Sequence, residues 1–264
     1  MEYIRLQAHK GVELTHPENT MASFRAAQAQ GYDMFELDLR VTKDGQIVVL
    51  HNKTINKTAR WPDGSALENE VSIYDLTYAD TMRYDFGIWR GEQFRGEPLP
   101  LFSEVLEFAG AHRIPLKIDN KIKQFTPEQL TQLYTMLRES GAPVNISCWS
   151  LESAEKAVRE IPQAEIHFDG ELSEELLRTV NAMVGRDRFM VWLAVDRCMA
   201  EWAPEHFFIT PEIVEKTLPY ARISLWAVKD AESFRNACRR WHPYAVETIG
   251  TIRPADRDAL LTEP

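Results

Sequence analysis

The chain has little cysteine, no dense basic run and no long apolar segment, and each shortage removes a class of protein. Cys148, Cys198 and Cys238 are its three cysteines, scattered through 264 residues without metal-ligand spacing. That excludes a disulfide framework and a cysteine zinc site, and it suits a reducing compartment with buried thiols. The formal net charge is −10 and Lys/Arg residues form no concentrated patch, so a nucleic-acid partner bound by phosphate neutralisation is excluded. A small anionic substrate is not, because a metal ion and one or two lysines hold a phosphate locally. No apolar stretch approaches the roughly 18 residues that span a bilayer, so no integral membrane segment is expected. The N-terminus MEYIRLQAHKG lacks the basic and apolar regions of a signal peptide, which leads to the expectation of a soluble, cytoplasmic protein. A Gly-rich phosphate loop after the first strand is also missing, and this weakens a doubly wound open sheet as the fold.

What is present is an apolar fraction of 44% with 10% aromatics, enough for a sizeable core. Short apolar runs alternate with helical periodicity, the rhythm of βα units around a parallel sheet. Strands are predicted over residues 4–8, 34–41, 115–121, 144–149, 164–168, 189–195, 223–228 and 245–248, eight in all. Helices are predicted over 18–30, 101–112, 151–160, 173–183, 211–218 and 231–241. A further helix starts at Thr126 as N-cap with Pro127 in its first turn and stops at Gly141. Lys43-Asp44-Gly45 turns the second strand into a hairpin partner over 47–51. Residues 54–98 break the rhythm, as a lid or small insertion does. Eight parallel strands with intervening helices close into a (β/α)8 TIM barrel, so the fold class is α/β with residues 1–264 forming one barrel domain.

The chemistry concentrates between His9 and His51. On a strand Glu36 and Asp38 share one face while Phe35, Leu37 and Leu39 share the other. In a barrel the apolar face packs on helices, which leaves both carboxylates inside, near the strand's C-terminal end where barrel enzymes place their chemistry. PLKIDNK repeats the device with Asp119 and Lys121 on the neighbouring strand. Three carboxylates from two strands suit a hard divalent metal, Mg2+ or Ca2+, and Lys121 is placed to hold the anion that the metal polarises. His9 and His51 each end an apolar run on this rim and could act as general base and general acid. His112, His167, His206 and His242 are assigned structural roles, as is His16, kept only as a weak candidate.

This set of residues resembles the glycerophosphodiester phosphodiesterase family. HKG with five residues before PENT, then ELD, TKDG and HN, stand where that family has His-Arg-Gly, Pro-Glu-Asn-Thr, Glu-x-Asp, Thr-x-Asp-Gly and His-Asp. The resemblance is close over roughly the first 120 residues and looser from ISCWSLESAEKAV to SLWAVKD. It implies Glu36, Asp38 and Asp119 as metal ligands, His9 and His51 as the acid/base pair, and Lys121 on the phosphate of a glycerophosphodiester. Glu18 corresponds to the family glutamate beside the metal, Asn19 to a loop brace, and Trp226 to a tryptophan on the pocket floor. Lys10 replaces the usual Arg, giving a point charge in place of a bidentate fork. Asn52 replaces Asp, and Asp119 replaces Glu. Lys229 and Glu247 stand at altered positions, as candidates for a changed leaving-group pocket or a rim ion pair. The implied activity is metal-dependent hydrolysis to glycerol phosphate and an alcohol. The alternatives are a phospholipase-D-like lyase forming a cyclic phosphate, and a silent phosphodiester-binding barrel.

Overall fold

A computed structural model of the chain describes residues 3–262. Its strands are β1 (Arg5–Ala8), β2 (Met34–Leu37), β3 (Leu39–Val41), β4 (Ile47–Val49), β5 (Leu116–Ile118), β6 (Val144–Cys148), β7 (Glu165–Phe168), β8 (Phe189–Ala194), β9 (Arg222–Trp226) and β10 (Ala245–Thr248). Its α-helices are α1 (Met21–Ala29), α2 (Tyr78–Thr81), α3 (Phe102–His112), α4 (Pro127–Ser140), α5 (Leu151–Glu160), α6 (Glu174–Val184), α7 (Pro211–Thr217), α8 (Ala231–Trp241) and α9 (Pro254–Thr262). Eight strands close in the order β1-β10-β9-β8-β7-β6-β5-β2, every neighbouring pair parallel, while β3 and β4 form a separate antiparallel hairpin. This is the expected TIM barrel.

Strand alternation sorts the core. Phe35 points outward and stacks on Phe24 of α1 at 5.7 Å, so Met34 and Glu36 point into the barrel, and Glu36 lies in register with Lys117. Helix starts follow local chemistry. Thr126, Ser150 and Asp230 each cap a helix in a reciprocal capping box, and Gly141 ends α4 in the left-handed region at φ 63°.

Two strands differ from expectation, and both differences shape the site. The predicted strand over 34–41 breaks at Asp38, where the chain leaves the barrel for the hairpin and the Asp38 carbonyl accepts from Leu50 N–H. The predicted strand over 115–121 stops at Ile118. Asp119 then caps a 3-10 turn over Asn120–Gln124, its carboxylate accepting from the Lys121 amide. Asp119 and Lys121 are therefore joined by a turn, not by strand alternation. The helix expected from 18 begins at Met21, because Thr20 takes the N-cap. Helix α9 was not expected. Its Arg257 reaches the Ile4 carbonyl and Asp33, tying the C-terminal segment to the start of the barrel.

Residues 54–98 contain two 3-10 turns and α2, and they pack with Val48, Leu50 and Leu99 around Ile55, Ala59, Ile73 and Phe86. Hydrogen bonds from Lys57 Nζ to Glu18 and from Ala22 N to Glu97 tie this segment to the start of α1. Cys148 and Cys238 are buried and their thiols are pushed up to about 12 by desolvation. Cys198 is exposed, against the expectation of buried thiols, because it lies on the loop after β8. Among the described residues no helix is long and apolar enough to cross a membrane.

Candidate active site

The carboxylates of Glu36, Asp38 and Asp119 each present an oxygen within 4.8 Å of the others. They come from the C-terminal ends of β2 and β5 and the two chain breaks just described. Lys10 and Gly11 adopt φ 51° and 80°, and this turn delivers the Lys10 amide N–H to Glu36 Oε2 at 3.1 Å. A Cβ on Gly11 would sit 2.3 Å from Ser23 Oγ, so the glycine is needed for close approach as well as for its backbone angle. Asn19, itself at φ 57°, donates to Asp38 Oδ2 at 2.8 Å. Its sequence role as a loop brace becomes a direct hold on a site carboxylate.

Three acids this close need positive charge. Lys121 Nζ supplies it, 2.6 Å from Asp38 and 2.9 Å from Asp119. Burial and the neighbouring Asp38 push the Glu36 carboxyl well above the ordinary range. Burial also opposes charge on Asp38, but Lys121, His51 and Lys10 outweigh it and hold that carboxyl below its usual range. Glu36 thus carries repulsion that the lysines leave uncompensated. An all-oxygen donor set under such strain fits a hard divalent cation of the magnesium or calcium type.

The histidines flank the acids. His9 Nε2 lies 3.9 Å from Glu36 Oε2, and its Nδ1 bonds Glu13 Oε1 at 2.5 Å. Desolvation disfavours its charge, yet Glu247, Glu36 and Glu13 outweigh that and raise it to about 9. His51 Nδ1 instead meets the Asn52 amide oxygen at 2.6 Å. Burial lowers its pKa, with Asp38 opposing and Lys121 and Lys10 adding to the drop. The two imidazoles are therefore electrostatically unlike.

Lys10 Nζ is buried between Glu13 and Glu18, 3.7 Å from each, and Glu18 is further paired with Lys57 at 2.7 Å. Lys229 and Glu247 do not form a rim ion pair, one of the two roles open to them. Lys229 is half-exposed and bridges to Asp196 at 3.1 Å, whereas Glu247 accepts from Gln7 at 2.5 Å inside the barrel. Trp226 packs at the top of the barrel interior beside Trp192. His16, His112 and His206 lie against Phe94, Phe108 and Phe207, and His242 caps α8. His167 is fully buried between Glu165 and Trp192, whose Nε1–H donates to Nδ1 at 2.8 Å.

Sequence reasoning passed over Glu13, four residues after His9, and Lys117. Lys117 Nζ is buried 4.2 Å above the Trp192 ring and 3.4 Å from Asp169, and burial is outweighed by Asp169, Glu247 and Glu36, which raise its pKa. The alternation that picked out Asp119 also reaches Lys117, two residues earlier. A cavity of about 300 Å³ opens at the opposite end of the barrel, lined by Arg5, Met34, Asn145, Glu165 and Tyr244, away from the acidic cluster.

The profile of the glycerophosphoryl diester phosphodiesterase family matches residues 9–186. A glycerophosphodiester phosphodiesterase of Caldanaerobacter subterraneus subsp. tengcongensis is 37% identical over 114 residues, 43% of this chain and 44% of that protein. A human lysophospholipase D is 35% identical over 121 residues, 44% of this chain and 35% of its own length. The chain thus spans less than half the length of these relatives. Among solved structures, a phosphodiesterase of Oleispira antarctica in complex with the product sn-glycerol-3-phosphate superposes with a TM-score of 0.73 at 16% identity, covering 98% of this chain and 97% of that one. At that identity the likeness establishes the fold. With the family profile spanning well over half of the chain, the chain belongs to the glycerophosphoryl diester phosphodiesterase family.

Proposed function

We propose that this protein hydrolyses glycerophosphodiesters to glycerol phosphate and an alcohol, using a divalent cation, Mg2+ or Ca2+, held by Glu36, Asp38 and Asp119. The observation that carries the reading is the meeting of three carboxylates and two unlike histidines at one end of a barrel of this family. The bound cation would polarise a non-bridging phosphate oxygen and offset charge developing in the transition state.

The chain's own residues do the rest. The carboxylate behind His9 favours its imidazolium, which suits it to protonate the departing alkoxide from Nε2. Burial, with Lys121 and Lys10 nearby, favours the free base of His51, which suits it to take the proton of the nucleophile. Lys121 and Lys10 supply positive charge to the phosphate, and Glu18 positions Lys10. Trp226 and Lys229 are assigned to the alcohol, and residues 54–98, packed on the hairpin and tied to Glu18 through Lys57, are an insertion in a single barrel unit.

Phosphorus NMR of glycerophosphocholine and glycerophosphoethanolamine turnover tests this reading. The wild type releases glycerol phosphate, and His9→Ala and His51→Ala each lose about 10²–10⁴-fold in rate. Full activity in both variants would sink the acid/base assignment. A cyclic phosphate as the final product would make the protein a lyase.

A further inference from the structure

The mouth of the barrel opposite the acidic cluster is a polar cavity. Its volume of about 300 Å³ lies at the small end of the range for ligand sites. Arg5 opens β1, Met34 opens β2, Asn145 is the second residue of β6, Glu165 opens β7 and Tyr244 precedes β10, and all five line it. The interior of such a barrel is ordinarily packed with branched apolar side chains. At this end a cation, a carboxylate, an amide and a phenol stand in their place.

The hydrogen bonds there satisfy the carboxylate and leave the donors over. Tyr244 Oη–H donates to Glu165 Oε1 at 3.0 Å. Trp192 Nε1–H donates to His167 Nδ1 at 2.8 Å, so that nitrogen carries no proton and Nε2 carries the one on the ring. Nε2–H then faces Glu165 Oε2 at 3.3 Å, and each oxygen of Glu165 has its donor. The Glu165 amide N–H donates to Asn145 Oδ1 at 3.3 Å, which fixes the orientation of the Asn145 side chain. Asn145 is only 5% exposed, and among the described residues its NH2 group has no partner. Such a buried donor left unpaired is costly. The Arg5 guanidinium lies 4.4 Å over the Tyr244 ring and forms no hydrogen bond or ion pair among the described residues. Arg222 lies over the same ring at 4.9 Å, but its charge is met by Asp187 at 2.6 Å. The cavity thus holds one unmatched cation and one unmatched amide donor.

We infer that this mouth is a second ligand site, which takes a small oxyanion, a carboxylate or a phosphate, on the Arg5 guanidinium and the Asn145 amide. The planar fork of an arginine matches both anions, and charge-assisted bonds of this kind are among the stronger ones. Both donors stand on barrel strands, so little ordering is needed when the anion enters. A cationic occupant would need the Glu165 carboxylate, which Tyr244 and His167 already engage. The Tyr244 ring is likewise taken up by two guanidinium groups. The site lies at the far end of the barrel from Glu36, Asp38 and Asp119, and it does not depend on the phosphodiesterase reading.

The test is titration calorimetry of EDTA-stripped protein with sodium acetate and, separately, with inorganic phosphate, at constant ionic strength. Wild type is compared with Arg5→Gln, Arg5→Lys, Asn145→Asp and Lys121→Gln, each checked for its fold by circular dichroism. Wild type binds at least one of the two anions saturably, and the tighter of them identifies the site as one for carboxylate or for phosphate. Arg5→Gln weakens that binding about tenfold or more, and Arg5→Lys keeps part of it. Asn145→Asp preserves the acceptor for the Glu165 amide but sets a negative charge against the anion, so it weakens binding even if Arg5→Gln does not fold. Lys121→Gln leaves the binding unchanged, because Lys121 stands at the acidic cluster. Binding lost in Lys121→Gln and kept in Arg5→Gln and Asn145→Asp puts the anion on the lysines of the acidic cluster and overturns the inference. Saturable binding of neither anion leaves the cavity to water and overturns it as well.

Discussion

Replacing Glu13 by Gln should convert the His9 environment into a pH-dependent stability difference. The two groups form a short, partly buried, charge-assisted bond at 2.5 Å, and such bonds contribute about 1.5–3 kcal/mol. The sign follows from both partners. His9 is raised from 6.5 to about 9 in the folded state, so its contribution is complete below pH 6.5 and is lost as pH rises toward 9. Glu13 is lowered from 4.5: burial opposes its charge, but His9 and the lysines outweigh that. Its contribution is therefore complete above pH 4.5 and is lost as pH falls through the depressed value. The difference between wild type and Glu13→Gln should be full between about pH 4.5 and 6.5 and decline as pH rises toward 9, leaving above that only the part owed to Lys10 and Lys57. About 2 kcal/mol corresponds to roughly 4–8 °C in Tm for a domain of this size. Thermal denaturation in EDTA across pH 4–10 measures it, and a difference that does not change between pH 6 and 10 would refute the charged pair.

Two further substitutions probe the interior. Asn52→Asp places a carboxylate behind His51 and should raise its pKa, moving the acid limb of the kcat/KM profile upward with it. A limb that stays in place would remove His51 from the role of base. Lys117→Met strips the interior of a buried cation shared by Asp169, Glu247 and Glu36, and should lower stability by about 3 kcal/mol or more in thermal unfolding. A neutral effect would mean that the neighbouring carboxylates are already protonated.

The barrel was readable because its strands alternate with well-capped helices. Periodicity alone places α5, α8 and β10 to the residue. Glu36, Asp38 and Asp119 were readable because alternation on two adjacent strands pointed all three the same way. The breaks at Asp38 and after Ile118 were not, because they depend on where the hairpin and the 3-10 turn leave the barrel, a tertiary matter. Lys117 escaped notice because a lysine amid apolar residues reads as a surface position until the barrel closes around it. Glu13 escaped because its loop has no periodicity to give it a direction. A rim ion pair between Lys229 and Glu247, one of the two roles open to them, is absent for a related reason. Glu247 lies on the inner face of β10 and meets Gln7 of β1, whereas Lys229 lies past the end of β9 and meets the loop after β8. Helix α9 carries only a weak apolar stripe, with Arg257 as its buried residue.

The most direct test of the account is to return divalent cation to EDTA-stripped protein while following glycerol phosphate release from glycerophosphocholine, in wild type and in Asp119→Asn. The carboxylate cluster predicts no turnover without metal, saturable recovery with magnesium, calcium or manganese, and a requirement for at least tenfold more metal in Asp119→Asn, the scale expected for a weakened ligand set. Full activity in EDTA, or identical metal dependence in the two proteins, would contradict it.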